Sequence, residues 1–174
     1  MPHELEQQIE MYSEYLLKLA FVYVKDKQIA EDIVQEAFIQ YFYAKSYKEQ
    51  GQLKSYLTTI TVNRSKNYLK SWAYRKLQLK ESFQGRVVKK QDALVEEEER
   101  KRIGDAIFQL SIEYRELVFF YYYEEKKVRE IAELLNLSEN TVKTRLRKAR
   151  LLLKEQLSNE QWEVLQDESY EGSI

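Results

Sequence analysis

The chain has 174 residues, enough for one compact domain or two small ones, with four glycines and one proline, a composition that favours helices over a strand-rich fold. The absence of cysteine excludes a disulfide framework, thiolate metal sites and cysteine nucleophiles. A net charge of −1 does not by itself indicate whether the chain binds nucleic acid. No apolar run approaches the roughly 20 residues that span a bilayer, so we expect a cytoplasmic protein.

Two helices are predicted in the N-terminal part of the chain. Apolar residues recur at helical spacing over residues 4–24, and the glutamates among them argue against a signal peptide. Asp26 is placed to cap a second helix that runs to Lys45. Residues 1–40 carry eight acidic and three basic side chains. The polar face of the second helix contains Glu31, Asp32, Gln35 and Glu36. Such a face is ordinarily only solvated.

A third helix is predicted over residues 53–80, after a loop at residues 46–52. Residues 51–90 carry ten basic side chains and one acidic one. Single-stranded nucleic acid is bound by basic tracks and by flat rings on which bases stack. The residues that favour such binding here are Asn63, Arg64, Lys66, Asn67, Lys70, Trp72 and Tyr74. Tyr56 and Tyr68 lie in the same helix and are expected to be partly in the core.

The middle of the chain is predicted to be a linker followed by more helices. Residues 82–99 lack a clean period and contain Gly85. The acidic run Glu96–Glu99 begins or precedes a helix, because negative charge is favourable at a helix N-terminus. Ser111 is placed to cap the following helix. Of the five consecutive aromatic residues 119–123, two or three are expected to be interior, and the others to form a patch for a partner.

The strongest local pattern is a helix-turn-helix in residues 128–150. Apolar residues at i, i+3, i+4 and i+7 predict a first helix over residues 128–135 with one buried face. Asn136 tolerates a left-handed backbone and is placed to make the turn. Ser138 is placed to cap a second helix over residues 139–157. In such a pair, the second helix enters the major groove of duplex DNA.

The outward face of this second helix carries the residues that we expect to contact DNA. Lys143 and Arg147 lie one turn apart, and a guanidinium can bond guanine O6 and N7 in a fork. The residues expected in the major groove are Asn140, Lys143, Thr144, Arg147 and Lys148. Those expected at the phosphates are Arg145 and Arg150. For the cations alone, a solvated basic helix packed on its neighbours is the alternative interpretation.

Both halves of the chain resemble one family. AEDIVQEAFIQYFY at residues 30–43 and LKSYLTTITVNRSKNYLK at residues 53–70 resemble region 2 of bacterial sigma factors, and residues 110–157 resemble region 4. In this order they resemble the short extracytoplasmic-function (ECF) sigma factors of the sigma-70 family, over residues 10–157. The implied fold is all-α, with two small helical domains: a region 2 bundle and a region 4 helix-turn-helix joined by a linker. The predicted domain bounds are 1–81, 82–99 for the linker, 100–157, and 158–174 for an acidic tail.

The resemblance implies a factor that binds core RNA polymerase, directs it to promoters and helps to open the DNA. Asp32, Gln35 and Glu36 are then expected to bind the clamp helices of the β′ subunit. Tyr47 is expected to stack on a flipped base of the −10 non-template strand, and Asn63 to read it. The helix-turn-helix is expected to read the −35 duplex, and the β flap is a second polymerase contact.

An anti-sigma factor, often membrane-anchored in this family, is a further partner that the resemblance implies. We predict no enzymatic activity, cofactor, metal site or small-molecule substrate. Asn140 stands where these factors often have glycine, next to the acidic Glu139, so the −35 sequence is open. The alternative function is a helix-turn-helix regulator that acts without polymerase. A purely protein-binding module is a third hypothesis, but it leaves the basic helices unexplained.

Overall fold

The computed structural model describes residues 2–44, 52–79 and 95–159, and they contain seven α-helices, one π-helical turn and no strand. The chain divides into two compact units, Met1–Arg86 and Val87–Ile174. The elements are α1 (Pro2–Val24), α2 (Lys27–Tyr43), α3 (Leu53–Leu79), α4 (Val95–Gln109), α5 (Ile112–Val118), the π-helical turn (Phe119–Tyr123), α6 (Val128–Leu135) and α7 (Glu139–Gln156). The predicted all-α fold is confirmed. The division of the chain lies within the predicted linker.

The first unit is a bundle of α1, α2 and α3 around one apolar core. The turn between α1 and α2 is short because Lys25 adopts a left-handed backbone, with φ of 56°. Asp26 then caps α2 as predicted, since its Oδ1 accepts the Ile29 N–H at 3.0 Å. The core contains Leu16, Ala20, Ala30, Ile33, Val34, Phe38, Leu53 and Leu57.

Helix α3 turns a partly polar face towards α1 and α2. Leu53, Leu57 and Ile60 are buried, and so are the polar residues Thr58, Thr61 and Ser65. The Thr58 hydroxyl donates to the Lys54 carbonyl at 2.7 Å and lies 3.1 Å from the Tyr15 hydroxyl. Thr58 is therefore hydrogen-bonded within the bundle, whereas Thr61 Oγ1 and Ser65 Oγ are buried with no hydrogen-bond partner among the described residues.

In the second unit, α4 begins inside the predicted linker. Val95 is its first residue, so the acidic run Glu96–Glu99 occupies the first turns of the helix. Carboxylates are favourable there because the helix N-terminus carries partial positive charge. The sequence left open whether this acidic run begins or precedes a helix, and the structure shows that it lies in the helix.

A buried arginine of α5 binds the backbone carbonyl groups at the C-terminal end of α4. Arg115 is 4% exposed, and its Nη1 donates to the carbonyls of Phe108 at 3.2 Å and Leu110 at 2.9 Å. The last carbonyls of a helix lack partners within the helix, and a cation there satisfies them. Neither Arg115 nor its role was predicted from the sequence.

The five aromatic residues form a π-helical turn directly after α5. Its wider hydrogen-bonding pattern is visible in the Glu124 N–H, which donates to the Phe119 carbonyl at 3.1 Å. Phe119 and Phe120 are buried, whereas Tyr123 is 52% exposed. The prediction that two or three of these rings are interior is confirmed, but the π geometry was not predicted.

The helix-turn-helix forms as predicted. Ile131, Ala132 and Leu135 of α6 are buried. Asn136 adopts φ 54° and ψ 50°, the left-handed conformation that the turn requires. Ser138 caps α7, since its Oγ accepts the Thr141 N–H at 3.1 Å. Local sequence therefore determines both the start of α7 and the direction of its first turn.

Candidate nucleic-acid interfaces

Helix α7 separates an apolar inner face from a basic outer one. Val142, Leu146, Ala149 and Leu153 are at most 1% exposed. Asn140, Thr144, Arg147 and Lys148 are exposed, and Lys143 is half-buried. The five residues predicted to enter the major groove are thus on the exposed part of one helix. The position fits the second helix of a helix-turn-helix, whose N-terminal half meets base edges.

The two arginines predicted at the phosphates are engaged inside the second unit. Arg145 Nη2 forms an ion pair with Glu113 Oε2 of α5 at 3.1 Å. Arg150 Nε donates to the Tyr122 hydroxyl at 2.7 Å, and the guanidinium lies 5.5 Å from the ring centre of Tyr121. These contacts hold α7 against α5 and the π-helical turn, and the phosphate role of both residues stays a prediction.

Two opposing effects act on the pKa of the Tyr122 hydroxyl. Burial raises the pKa of its hydroxyl, while the positive charge and hydrogen bond of Arg150 oppose that shift. The neutral phenol is therefore the favoured form against the guanidinium. Arg150 then interacts with Tyr122 as a hydrogen-bond donor and over its ring face, 5.8 Å from the ring centre.

Helix α3 exposes most of the residues predicted to bind a single strand. Asn63, Asn67 and Lys70 are exposed, and Trp72 is 47% exposed. Tyr56 and Tyr68 are half-buried, as expected of rings that belong partly to the core; Tyr56 packs edge-on against Tyr41. Tyr47 and the side chain of Tyr74 lie outside the described residues.

Several cations of α3 are engaged in contacts within the bundle. Arg64 pairs with Glu36 through Nη1, and its Nε donates to Gln40 Oε1 at 3.2 Å. Lys66 Nζ lies 5.9 Å from the ring centre of Tyr23. Arg64 was predicted to bind DNA and Glu36 to bind polymerase, so the structure joins two residues that the sequence assigned to different partners.

The outer face of α2 combines polar residues with an apolar groove. Asp32, Gln35 and Glu36 are exposed, as their predicted polymerase-binding role requires. Beside them, between α1 and α2, is a groove of about 520 Å³. Phe42, at one end of it, is 60% exposed. The groove is lined by Ile9, Ser13, Leu17, Glu31, Val34, Gln35, Phe38, Ile39, Phe42 and Tyr43.

Sequence reasoning missed this groove because apolar residues at helical spacing are ordinarily assigned to a core. The indication in the sequence was that α2 has more apolar residues than one helix face can hold. In the structure, Ile33 and Ala37 are buried while Ile39 and Phe42 are exposed. An exposed apolar surface of this kind is a candidate protein-binding surface.

The described residues contain neither a cluster suited to a metal ion nor a membrane-spanning helix. Among those the structure describes, no three His, Cys, Asp or Glu side chains cluster in a way that could hold a metal ion. None of the described helices is both long enough and apolar enough to cross a membrane.

Comparison with protein-family models matches both units. Residues 8–75 match the model for sigma-70 region 2, and residues 100–153 match the model for sigma-70, region 4. The first range covers most of α1, all of α2 and most of α3, and the second runs from within α4 to within α7. Each candidate interface therefore lies within a matched region.

Similar proteins match over both units. The chain is 29% identical over 161 residues to the ECF RNA polymerase sigma factor SigW of Bacillus subtilis, covering 86% of each chain. It is 28% identical over 144 residues to the RNA polymerase sigma factor SigV of the same organism, covering 82% of this chain and 84% of that protein. A solved structure of the Bartonella quintana sigma factor RpoE, in complex with the anti-sigma factor NepR, shares the fold, with a TM-score of 0.66 at 21% identity over 87% of this chain and 95% of that one.

Proposed function

The chain belongs to the ECF class of the sigma-70 family and is an RNA polymerase sigma factor, and on that basis we propose how its residues divide the work. Helix α7 reads the −35 duplex, α3 with the preceding loop holds the −10 non-template strand, and α2 binds the polymerase. The observation that carries the proposal is the separation of two exposed polar helices into two units, each matched to a different sigma-70 region.

The assignment of α7 is supported by the exposure of its cations. Arg147 and Lys148 point away from the buried stripe and have no carboxylate partner among the described residues. A bidentate arginine–guanine contact discriminates by roughly 1–3 kcal/mol against other bases. Lys143 and Arg147 are one turn apart and reach the same groove. Asn140 lies at the helix start, so the −35 preference is set near that end.

The assignment of α3 is supported by exposed amides beside a basic surface. Asn63 offers both a donor and an acceptor to a base edge, and Lys70 neutralises phosphate. Tyr47, which precedes α3 in the chain, supplies the ring on which the flipped base stacks. Capturing an unpaired base offsets the few kcal/mol that unstacking costs, so opening is driven by binding energy.

The polymerase contact is supported by the α2 surface. Asp32, Gln35 and Glu36 meet basic residues of the β′ clamp helices, where charge complementarity speeds association. The second unit binds the β flap, and the exposed ring of Tyr123 supplies apolar surface for that contact. The chain acts in the cytoplasm and is not an enzyme. The alternative, a regulator that acts without polymerase, is disfavoured by the match to region 2.

An anti-sigma factor completes the set of partners. The Bartonella quintana sigma factor that shares this fold was solved with its anti-sigma factor NepR. In this chain, the apolar groove beside Gln35 is suited to an inhibitor that also covers the polymerase-binding residues. Such an inhibitor, free or membrane-anchored, controls when the factor reaches polymerase.

The test is transcription in vitro with core RNA polymerase, at a promoter identified by mapping transcripts after overexpression. We expect initiation only when the chain is added. Asn63→Ala is expected to reduce permanganate reactivity of the −10 thymines while duplex binding is retained. Arg129→Ala, on an exposed face of α6, is the control and is expected to leave both unchanged. If the purified chain does not bind core polymerase, the proposal is wrong.

A further inference from the structure

The outer face of α7 contains an exposed leucine surrounded by cations. Leu151 is 53% exposed, although it lies on a helix whose other apolar side chains are buried or half-buried. Arg147 and Lys148 precede it by one turn, and Lys154 follows by one turn, all exposed. Residues three and four apart share a helix face. We call Arg147, Lys148, Leu151 and Lys154 the basic-apolar face.

This face is not neutralised within the described residues. Arg145 and Arg150, the other arginines of α7, are held by Glu113 and Tyr122. The basic-apolar face has no such partner, and one exposed carboxylate, Glu155, follows Lys154. Positive charge beside apolar surface is complementary to a segment that combines carboxylates with apolar side chains.

The sequence that follows α7 has that composition. Residues 158–174 contain five acidic side chains and no lysine or arginine. Apolar residues, among them Trp162 and Leu165, lie between the carboxylates. Because the segment is joined to α7 by the chain itself, its effective concentration at the basic-apolar face is in the millimolar range.

We propose that the acidic segment, residues 160–174, binds the basic-apolar face of α7 and competes with DNA for it. The inference rests on the proposed function of α7 and adds a regulation of that same site: the chain occupies its own −35-reading helix until promoter DNA displaces the segment. Arg147 and Lys148 serve both ligands, and Leu151 contacts the segment through Trp162 or Leu165.

The competition is weak enough for DNA to reverse. Exposed ion pairs contribute little individually and are screened by salt. A tethered segment of this kind is expected to lower the affinity of the free chain for duplex DNA by about three- to tenfold at low salt. The effect is expected to disappear at high salt because both interactions with α7 depend on charge pairs that salt screens.

The experiment measures duplex binding by fluorescence anisotropy, with a random-sequence duplex of about 20 base pairs at low salt. A full-length variant in which Glu160, Glu163, Asp167, Glu168 and Glu171 become amides is expected to bind about three- to tenfold more tightly. Equal affinity would overturn the proposal. Repulsion between an undocked acidic segment and DNA gives the same gain, so a second variant is needed.

The second variant, Trp162→Ser with Leu165→Ser, keeps all five carboxylates. A docked segment requires its apolar contacts, so this variant is also expected to tighten DNA binding, and Leu151→Ser is expected to match it without adding to it. Unchanged affinity means that the segment only repels DNA, and the docking proposal is then wrong.

A spectroscopic measurement tests docking without DNA. The chain has two tryptophans, so in Trp72→Phe the tryptophan emission, excited at a wavelength that tyrosine does not absorb, reports Trp162 alone. We expect its emission to move to longer wavelength when salt is raised or when Leu151→Ser is introduced, and an unchanged emission would contradict docking. Because this readout needs no polymerase, it fails or succeeds separately from the transcription test of the proposed function.

Discussion

Helices α3 and α7 carry the two basic regions of the chain, and their cations are used differently. In α3, Lys54 Nζ lies 4.3 Å from the ring centre of Tyr15 and Arg64 pairs with Glu36. In α7, Arg147 and Lys148 extend from the outer face without a carboxylate partner among the described residues. A basic helix in a sequence therefore mixes cations that stabilise the fold with cations that are available to a ligand.

The difference follows from how each helix is buried. Helix α7 contacts α4, α5 and α6, but it does so through one apolar stripe, and Arg147 and Lys148 lie outside that stripe and are exposed. Helix α3 contacts both α1 and α2, so cations at its flanks meet carboxylates and rings of its neighbours. Even in α7, Arg145 and Arg150 lie at the edges of the buried stripe, and both have partners. Position relative to the buried face decides which cations are available to DNA.

The largest expected effect comes from a cation that is wholly structural. Arg115→Leu removes the donors to the Phe108 and Leu110 carbonyls in a buried site, and we expect it to destabilise the second unit by about 3 kcal/mol. Urea unfolding followed by circular dichroism measures this, with Arg129→Ala as a surface control expected to change stability by less than about 0.5 kcal/mol. A loss as small as the control's would mean that Arg115 is not the cap described above.

The next effect separates two cations of the same helix. Arg147→Ala is expected to weaken binding of the holoenzyme to a −35-containing promoter by about tenfold, because it removes a base contact. Arg145→Ala is the matched control, since its guanidinium pairs with Glu113, and a loss below about threefold is expected. Equal losses of affinity in the two variants would show that the Arg145–Glu113 ion pair opens on DNA. Burial would then not predict which arginines contact DNA.

A smaller effect is expected for the pair that joins α2 to α3. Both side chains are at least partly exposed, so a double-mutant cycle of Arg64→Ala and Glu36→Gln is expected to give a coupling of about 0.5 kcal/mol in unfolding free energy. The same variants in the permanganate assay tell whether Arg64 also contributes to opening. A coupling energy of zero would show that the Arg64–Glu36 ion pair does not stabilise the first unit.

The smallest effect concerns pH. Because burial raises the pKa of Tyr122 above that of the unfolded chain, its contribution to stability is fully present below about pH 10 and is lost as pH rises through the folded-state pKa. Tyr122→Phe is expected to flatten this part of the melting-temperature profile. Tyr123→Phe is the control, since the Tyr123 ring is exposed, and it should retain the wild-type profile.

Most of the second unit was predictable from local sequence. The bounds of α6, the left-handed Asn136, the Ser138 cap and the buried stripe of α7 all follow from spacings of four residues or fewer. The positions of the residues on α7 that are expected to enter the DNA major groove follow from the same periodicity. The resemblance to sigma factors was confirmed, while the assignment of each site residue stays a prediction.

The apolar groove and the paired cations were not predictable in this way. Arg64 and Glu36 are 28 residues apart in the chain, as are Arg150 and Tyr122. Periodicity places a side chain on one face of its own helix, but it does not identify the helix opposite. The exposed Phe42 has the same sequence pattern as a core residue.

The sequence by itself determined the helices, the caps at Asp26 and Ser138, the turn at Asn136 and the family, because each depends on residues that are close together in the chain or on a motif order. Ser111 stands at the start of α5 as predicted, but its side chain makes no capping hydrogen bond. The tertiary structure decided which cations are engaged, where the π-helical turn places its rings, and which apolar residues remain exposed. Those properties depend on contacts between helices, and the free energy of a charge or a ring is set by what packs against it.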